Sequence, residues 1–96
     1  MPGSSDAGST SRRVLIPSSL RSYTASMWVQ AQGDTLAEVL RDLDRRYAGL
    51  RFRMIDEQDR LRPHMRVFVR GRAVHDLRLA LDADDEVHIV QALSGG

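Results

Sequence analysis

The stretch "GDTLAEVLRDLDRRYAGL", residues 33–50, constrains the fold more than any other part of the chain. Leu36, Val39, Leu40, Leu43 and Tyr47 recur at the spacing of one helical face, while Asp42, Asp44, Arg45 and Arg46 occupy the others. Such a pattern buries one stripe and leaves the rest to water. The spacing predicts a helix over about Thr35 to Ala48. Thr35 with Glu38 three residues on reads as a capping box, each side chain satisfying backbone N–H groups at the helix start, and Gly49 suits a left-handed C-terminal cap. A single amphipathic helix cannot bury its stripe alone, so the rest of the chain has to supply an apolar layer for it.

Strand signals on both sides of the helix supply that layer. "VLIP" (14–17) is a short apolar run stopped by a proline that cannot donate to a ladder, and "MWVQAQ" (27–32) alternates up to Gly33; the two suggest a hairpin with a long loop. After the helix come "LRFRMI", short and helical or irregular, the polar loop "DEQDRLRP", and "HMRVFVRG", a strand whose turn is marked by Arg70-Gly71. A minor strand is expected near Ala73 to Val74. "DLRLALDADDE" then carries Leu77, Leu79 and Leu81 into an acidic turn, in which Asp84, Asp85 and Glu86 read as turn-formers, before the last strand "EVHIV". Strands flanking one helix predict an α+β fold, a mixed four- to five-stranded sheet with the helix packed on one face. Residues 1–12, without hydrophobic periodicity, read as a disordered leader, residues 13–91 as the domain and 92–96 as a flexible tail. Ninety-six residues are enough for one core and not for two.

Alternation sorts the strands into two faces. Val14, Ile16, Val29, Val67, Val69, Val87 and Ile89 face the helix residues Leu36, Val39, Leu40 and Leu43. Leu15, Trp28, Phe68, His88 and Val90 point the other way, with Arg66 and Arg70 flanking Phe68. An apolar patch rimmed by guanidinium groups is a candidate docking surface for a partner protein.

Charge and composition close off other chemistries. With 14 basic and 13 acidic residues the net charge is +1, too small a field to recruit nucleic acid or an anionic membrane. The Arg-rich run "RLRPHMRVFVRGR" is therefore read as a solvated or partner-facing strand, balanced by "DADDE". Every basic residue is Arg; without Lys there is no side-chain Schiff base and no GxxxxGK phosphate loop, so no bound ATP is expected in this chain. Without Cys there is no disulfide, thiolate metal site or catalytic thiol. His64, His75 and His88 lack metal-ligand spacing, and no metal is expected. No apolar run approaches the roughly 18 residues of a membrane span, and a cytoplasmic address is the default expectation.

The chain closes on "QALSGG". Two terminal glycines are also what a frayed end would show. Taken with "VLIP" and the "LR" shortly after it, the helix stretch leading into "RFRMIDEQDRLRPHMRVFVRG", and "DADDEVHIVQALSGG", the ending resembles the ubiquitin-like β-grasp sulfur carriers of the MoaD, ThiS and CysO type. Gln91 stands where members often carry Pro, and Arg70-Gly71 where many have Asn-Gly; both departures bear on the branch of the family and leave the diglycine untouched.

The resemblance implies a protein cosubstrate and not a catalyst. A ubiquitin-activating-type enzyme, using its own ATP, adenylates the carboxylate of Gly96, and a sulfur donor or sulfurtransferase converts it to a thiocarboxylate. A biosynthetic enzyme for molybdopterin, thiamine, cysteine or a specialised metabolite then takes the sulfur. Gly95 gives clearance for threading a narrow channel, while Ala92, Leu93 and Ser94 give reach. Two alternatives stay open: a ubiquitin-like modifier joined to lysines of other proteins through Gly96, and a non-covalent β-grasp interaction module.

Overall fold

The computed structural model describes residues 10–92. In chain order its elements are β1 (Ser11–Leu15), a 3-10 turn (Ser18–Leu20), α1 (Arg21–Thr24), β2 (Trp28–Gln32), α2 (Leu36–Arg46), α3 (Leu50–Met54), β3 (Met65–Val69), β4 (Arg72–Ala73) and β5 (Val87–Gln91).

The predicted helix forms as α2, and every N–H of its first turn has an acceptor. Thr35 Oγ1 accepts from Glu38 N at 3.2 Å and the Thr35 carbonyl from Val39 N at 3.1 Å. Leu36 N and Ala37 N donate instead across the fold to the carbonyls of Leu79 (3.1 Å) and Leu77 (2.7 Å). The segment carrying Leu77, Leu79 and Leu81 thus docks by capping the helix, satisfying donors that a helix start otherwise leaves open. The return arm of the capping box differs from expectation: Glu38 Oε1 accepts from Asp34 N at 2.8 Å. The helix ends at Arg46, where Tyr47 N closes on the Leu43 carbonyl, and Gly49 adopts φ +91° ahead of α3.

The five strands form one mixed sheet in the order β2-β1-β5-β3-β4. β1 runs antiparallel to β2 and parallel to β5, while β3 is antiparallel to both β5 and β4. Arg70 and Gly71, at φ +56° and +77°, make the two-residue turn from β3 to β4, a conformation that Asn-Gly adopts more readily and that glycine eases at its second position. The side chains assigned to the core by alternation, Val14, Ile16, Val29, Val67, Val69, Val87 and Ile89, are all buried, as are Leu36, Val39, Leu40 and Leu43. Each such side chain contributes roughly 1.5–3 kcal/mol by leaving water.

One expectation about the N-terminal part needs correction. Strand order starts at Ser11 and not near Arg13, because Arg12 occupies a core-facing position and is 4 % exposed. The long loop expected in the first hairpin holds the 3-10 turn and α1.

Arg12 reaches the core face by spending its guanidinium on backbone: Nε donates to the Gly33 carbonyl at 3.0 Å, and Nη1 to the carbonyls of Asp82 (2.8 Å) and Asp85 (2.9 Å). It ties β1 to the entry of α2 and to the acidic turn. That turn is more than a chain reversal, which corrects the reading of Asp85 as a simple turn-former. Asp85 is buried, and its carboxylate accepts from Asp82 N at 2.7 Å and pairs with Arg70. Arg70 also reaches Asp82 at 2.9 Å, so its charge is committed to the acidic turn and not to a rim around Phe68.

Asp42 is the other buried carboxylate, 6 % exposed on α2. Burial works against its charge, but the bond from Gln32 N at 2.8 Å and the guanidiniums of Arg46 and Arg45 outweigh it and hold the carboxyl below its ordinary 3.8. The contribution of a carboxyl lowered in this way is complete above about pH 5 and is lost as pH falls through the folded-state value. Asp42→Asn is expected to destabilise by about 1–2 kcal/mol at pH 7, with the gap from the parent closing toward pH 3, read from urea midpoints at both pH values. Asp85→Ala, which leaves Asp82 N without its acceptor and Arg70 with Asp82 alone, is expected to cost about 2 kcal/mol in the same assay, whereas Asp84→Ala changes it by less than about 0.5 kcal/mol.

Candidate functional site

The face of the sheet opposite α2 carries one continuous row of side chains. Register pairs Trp28 with Leu15, Leu15 with His88, His88 with Phe68 and Phe68 with Ala73. Neighbouring positions on one face lie about 5 Å apart, so the row crosses all five strands. Leu15, Trp28, Phe68 and His88 are half-buried and Val90 is 38 % exposed. The structure therefore brings together all five of the outward residues named from alternation.

At the β2 end of the row the side chains interlock. The rings of Trp28 and His88 meet edge to face with centroids 5.6 Å apart, and the guanidinium of Arg13 lies 4.0 Å from the Trp28 ring centroid. Glu86 bridges them, one oxygen 3.2 Å from Arg13 Nη1 and the other 3.1 Å from His88 Nε2. Ion pairs this exposed contribute little stability; their effect is to hold Trp28 and His88 in one arrangement, a preformed surface. Arg13 and Glu86 were missed from sequence, although each sits two residues before an outward position, Leu15 and His88, and so shares its face.

The guanidinium rim differs from expectation. Arg70 turns to Asp82 and Asp85, and Arg66 Nη1 folds back onto the carbonyls of Pro63 (2.6 Å) and Met65 (3.0 Å). Arg13 is the cation that stands over an aromatic ring of the face.

The second part of the site is where the chain leaves the sheet. β5 has β1 on one side and β3 on the other, with Met65 and Gln91 as its last pair. The ladder continues one residue into the stretch expected as tail, Ala92 N donating to the His64 carbonyl at 2.8 Å. Ser19 hydrogen-bonds the Gln91 side chain. Beside Gln91 opens a cleft of about 620 Å³ whose walls include Tyr23, Phe52, Arg53, Arg62 and His64. Leu93, Ser94, Gly95 and Gly96 lie outside the described residues.

Among the described residues no group of three or more His, Cys, Asp or Glu is placed to hold a metal ion, and no helix is long and apolar enough to cross a membrane. The arrangement offers a shaped face and a fixed exit for the chain end.

The ThiS family model matches residues 14–96. The sulfur carrier protein CysO of Mycobacterium tuberculosis is 34 % identical over 89 residues, covering 86 % of this chain and 96 % of its own. Among solved structures, a chain of the Amycolatopsis orientalis BexX/CysO complex superposes with a TM-score of 0.79 at 31 % identity, over 88 % of this chain and 98 % of that one. SAMP1 from Haloferax volcanii superposes with a TM-score of 0.75 at 26 % identity, over 90 % and 99 %. The mixed sheet with its packed helix is the ubiquitin-like β-grasp of these neighbours. By the reach of the family model and the extent of these likenesses, the chain belongs to the ThiS family, as a ubiquitin-like sulfur carrier of the MoaD, ThiS and CysO type.

Proposed function

We propose that this chain carries sulfur on the carboxylate of Gly96 and delivers it to a biosynthetic enzyme. The observation that carries the reading is the family match, which runs through to Gly96, on a fold whose central strand leads directly into that end.

A free carboxylate is a poor acyl donor. In the proposed cycle an oxygen of Gly96 attacks the α-phosphorus of ATP in a ubiquitin-activating-type enzyme, giving the acyl-adenylate and releasing pyrophosphate. A sulfide equivalent from a sulfur donor or sulfurtransferase then displaces AMP, forming the C–S bond as the C–O bond breaks. On the acceptor enzyme the thiocarboxylate sulfur bonds to an electrophilic carbon of that enzyme's substrate, displacing its leaving group, and water then attacks the thioester carbonyl, breaking the acyl C–S bond so that the sulfur stays with the substrate and the carboxylate is restored. This chain contributes shape and the acyl group, with nucleotide chemistry left to the partner and Gly95 giving the clearance a buried channel demands. The protein is a cosubstrate in this scheme, working in the cytoplasm where ATP is available. The relative crystallised with BexX supports an acceptor protein as one partner, and the pathway is one of molybdopterin, cysteine, thiamine or specialised-metabolite synthesis.

The open face gives both partners a common handle, with Trp28, Leu15, His88 and Phe68 as the anchor row and Val90 leading toward the tail. Aromatic anchors with guanidinium neighbours suit a protein interface. A second reading, conjugation of Gly96 to lysines of other proteins, draws on the likeness to SAMP1.

Incubation with an adenylating enzyme of the ubiquitin-activating type, ATP and a sulfur donor is expected to raise the intact mass by the difference between sulfur and oxygen. Deleting Gly96 abolishes the change. An unchanged mass under conditions that load another carrier refutes the proposal, and higher-mass conjugates favour the modifier reading. Phe68→Asp, in protein that remains folded by circular dichroism, is expected to slow loading by about tenfold or more, the scale on which buried interface anchors act.

A further inference from the structure

We propose that the cleft beside Gln91 is a second docking element, which takes a carboxylate-bearing segment of the protein that receives the chain end. The inference rests on the reading that the tail is handed to a partner.

Among the described residues, ion pairs use Arg13, Arg70 and His88 around the acidic turn, Arg45, Arg46 and Arg51 on the helices, and Arg78 with Asp76 in the segment that follows β4. Arg53 and Arg62 in the cleft, and Arg21 and Arg66 beside it, have no carboxylate within 4 Å among the described residues. Asp56 feels the charge of Arg62 without pairing with it. Arg12, Arg41, Arg60 and Arg72 likewise have no carboxylate within 4 Å among the described residues, so what sets Arg53 and Arg62 apart is that they share the walls of one cleft beside the end of β5.

The two cleft guanidiniums are also held in place. Arg62 lies 4.6 Å from the Phe52 ring centroid and donates from Nε to the Phe52 carbonyl at 2.8 Å. Arg53 lies 6.0 Å from the Tyr23 ring centroid and donates from Nε to Tyr23 Oη at 2.7 Å. Each therefore spends Nε on the protein, Arg62 also laying one flat side on Phe52, and neither Nη pair has a partner among the described residues. A fixed guanidinium with free Nη groups is prepared for a planar carboxylate, which it grips with two parallel hydrogen bonds. Phe52 keeps the surroundings apolar, 59 % exposed.

Position supplies the partner. Gly96 lies four residues beyond Ala92, at most about 14 Å of fully extended chain, so a protein acting on its carboxyl works within that distance of the strand end that borders the cleft. Single-stranded nucleic acid fits worse, because its bases need open aromatic faces and one face of Phe52 carries the Arg62 guanidinium.

The test is an amide-shift titration of the full chain with an acetylated, amidated hexaglutamate peptide, beside inorganic phosphate and a single-stranded DNA dodecamer. Glutamate peptide is expected to shift residues 19–23, 52–53 and 62–65, with affinity falling as salt rises. The paired change Arg53→Gln and Arg62→Gln is expected to weaken it at least tenfold while leaving shifts elsewhere unaltered. Peptide shifts away from the cleft, insensitivity to the paired change, or equal or tighter binding of phosphate or DNA at the cleft would overturn the proposal. The titration reads the cleft without any sulfur loading, so a chain that never gains sulfur can still pass it, and a loaded chain can still fail it.

Discussion

The parallel pairing of the first and last strands organises this molecule. Val14 pairs with Val87 and Leu15 with His88, placing the first and last strands side by side at the centre of the sheet. Parallel neighbours cannot be joined by a tight turn, so everything between has to travel around them. β2 returns along one side, α2 crosses the core face, and β3 arrives on the far side of β5. Because β3 pairs with β5 through to Gln91, Ala92 leaves the sheet at one defined point, with the His64 carbonyl as its last backbone partner. A carrier that delivers its end into another protein benefits from a fixed departure point more than from any group near the end itself.

Buried polar groups pin this arrangement where apolar packing alone is permissive. Arg12 joins β1 to Gly33 and to the acidic turn, and Asp42 ties the helix to Gln32 at the end of β2. Gly33 sits where β2 feeds the helix, and a Cβ there would lie 2.6 Å from Val39 N, so the close approach admits no side chain. Buried charges of this kind add little net stability, since desolvation offsets much of the attraction. Their geometry is demanding, however, and a one-residue slip of β1 would exchange Arg12 for Arg13 and send the whole strand to the wrong face.

The two outward regions follow from that frame. The row from Trp28 to Ala73 uses the sheet face left uncovered because there is one long helix and it packs on the other side. The cleft is built from elements distant in sequence, α1, α3 and the lead-in to β3, gathered around the end of β5.

Sequence determined the helix, the sorting of strand residues into two faces and the diglycine ending, because each is a local pattern with period 3.6 or 2 or a fixed position in the chain. It made Leu15, Trp28, Phe68, His88 and Val90 legible as one outward set without their order. Tertiary structure decided which side chains meet: Arg13 over Trp28, Glu86 between Arg13 and His88, Arg70 drawn to Asp85, and Arg53 and Arg62 beside the exit. A long Arg side chain can reach several neighbours from one backbone position, so its partner depends on strand register and loop docking, which no local period encodes. Arg12 shows the limit most sharply, since by composition it belongs to a polar leader and by register it lies in the core.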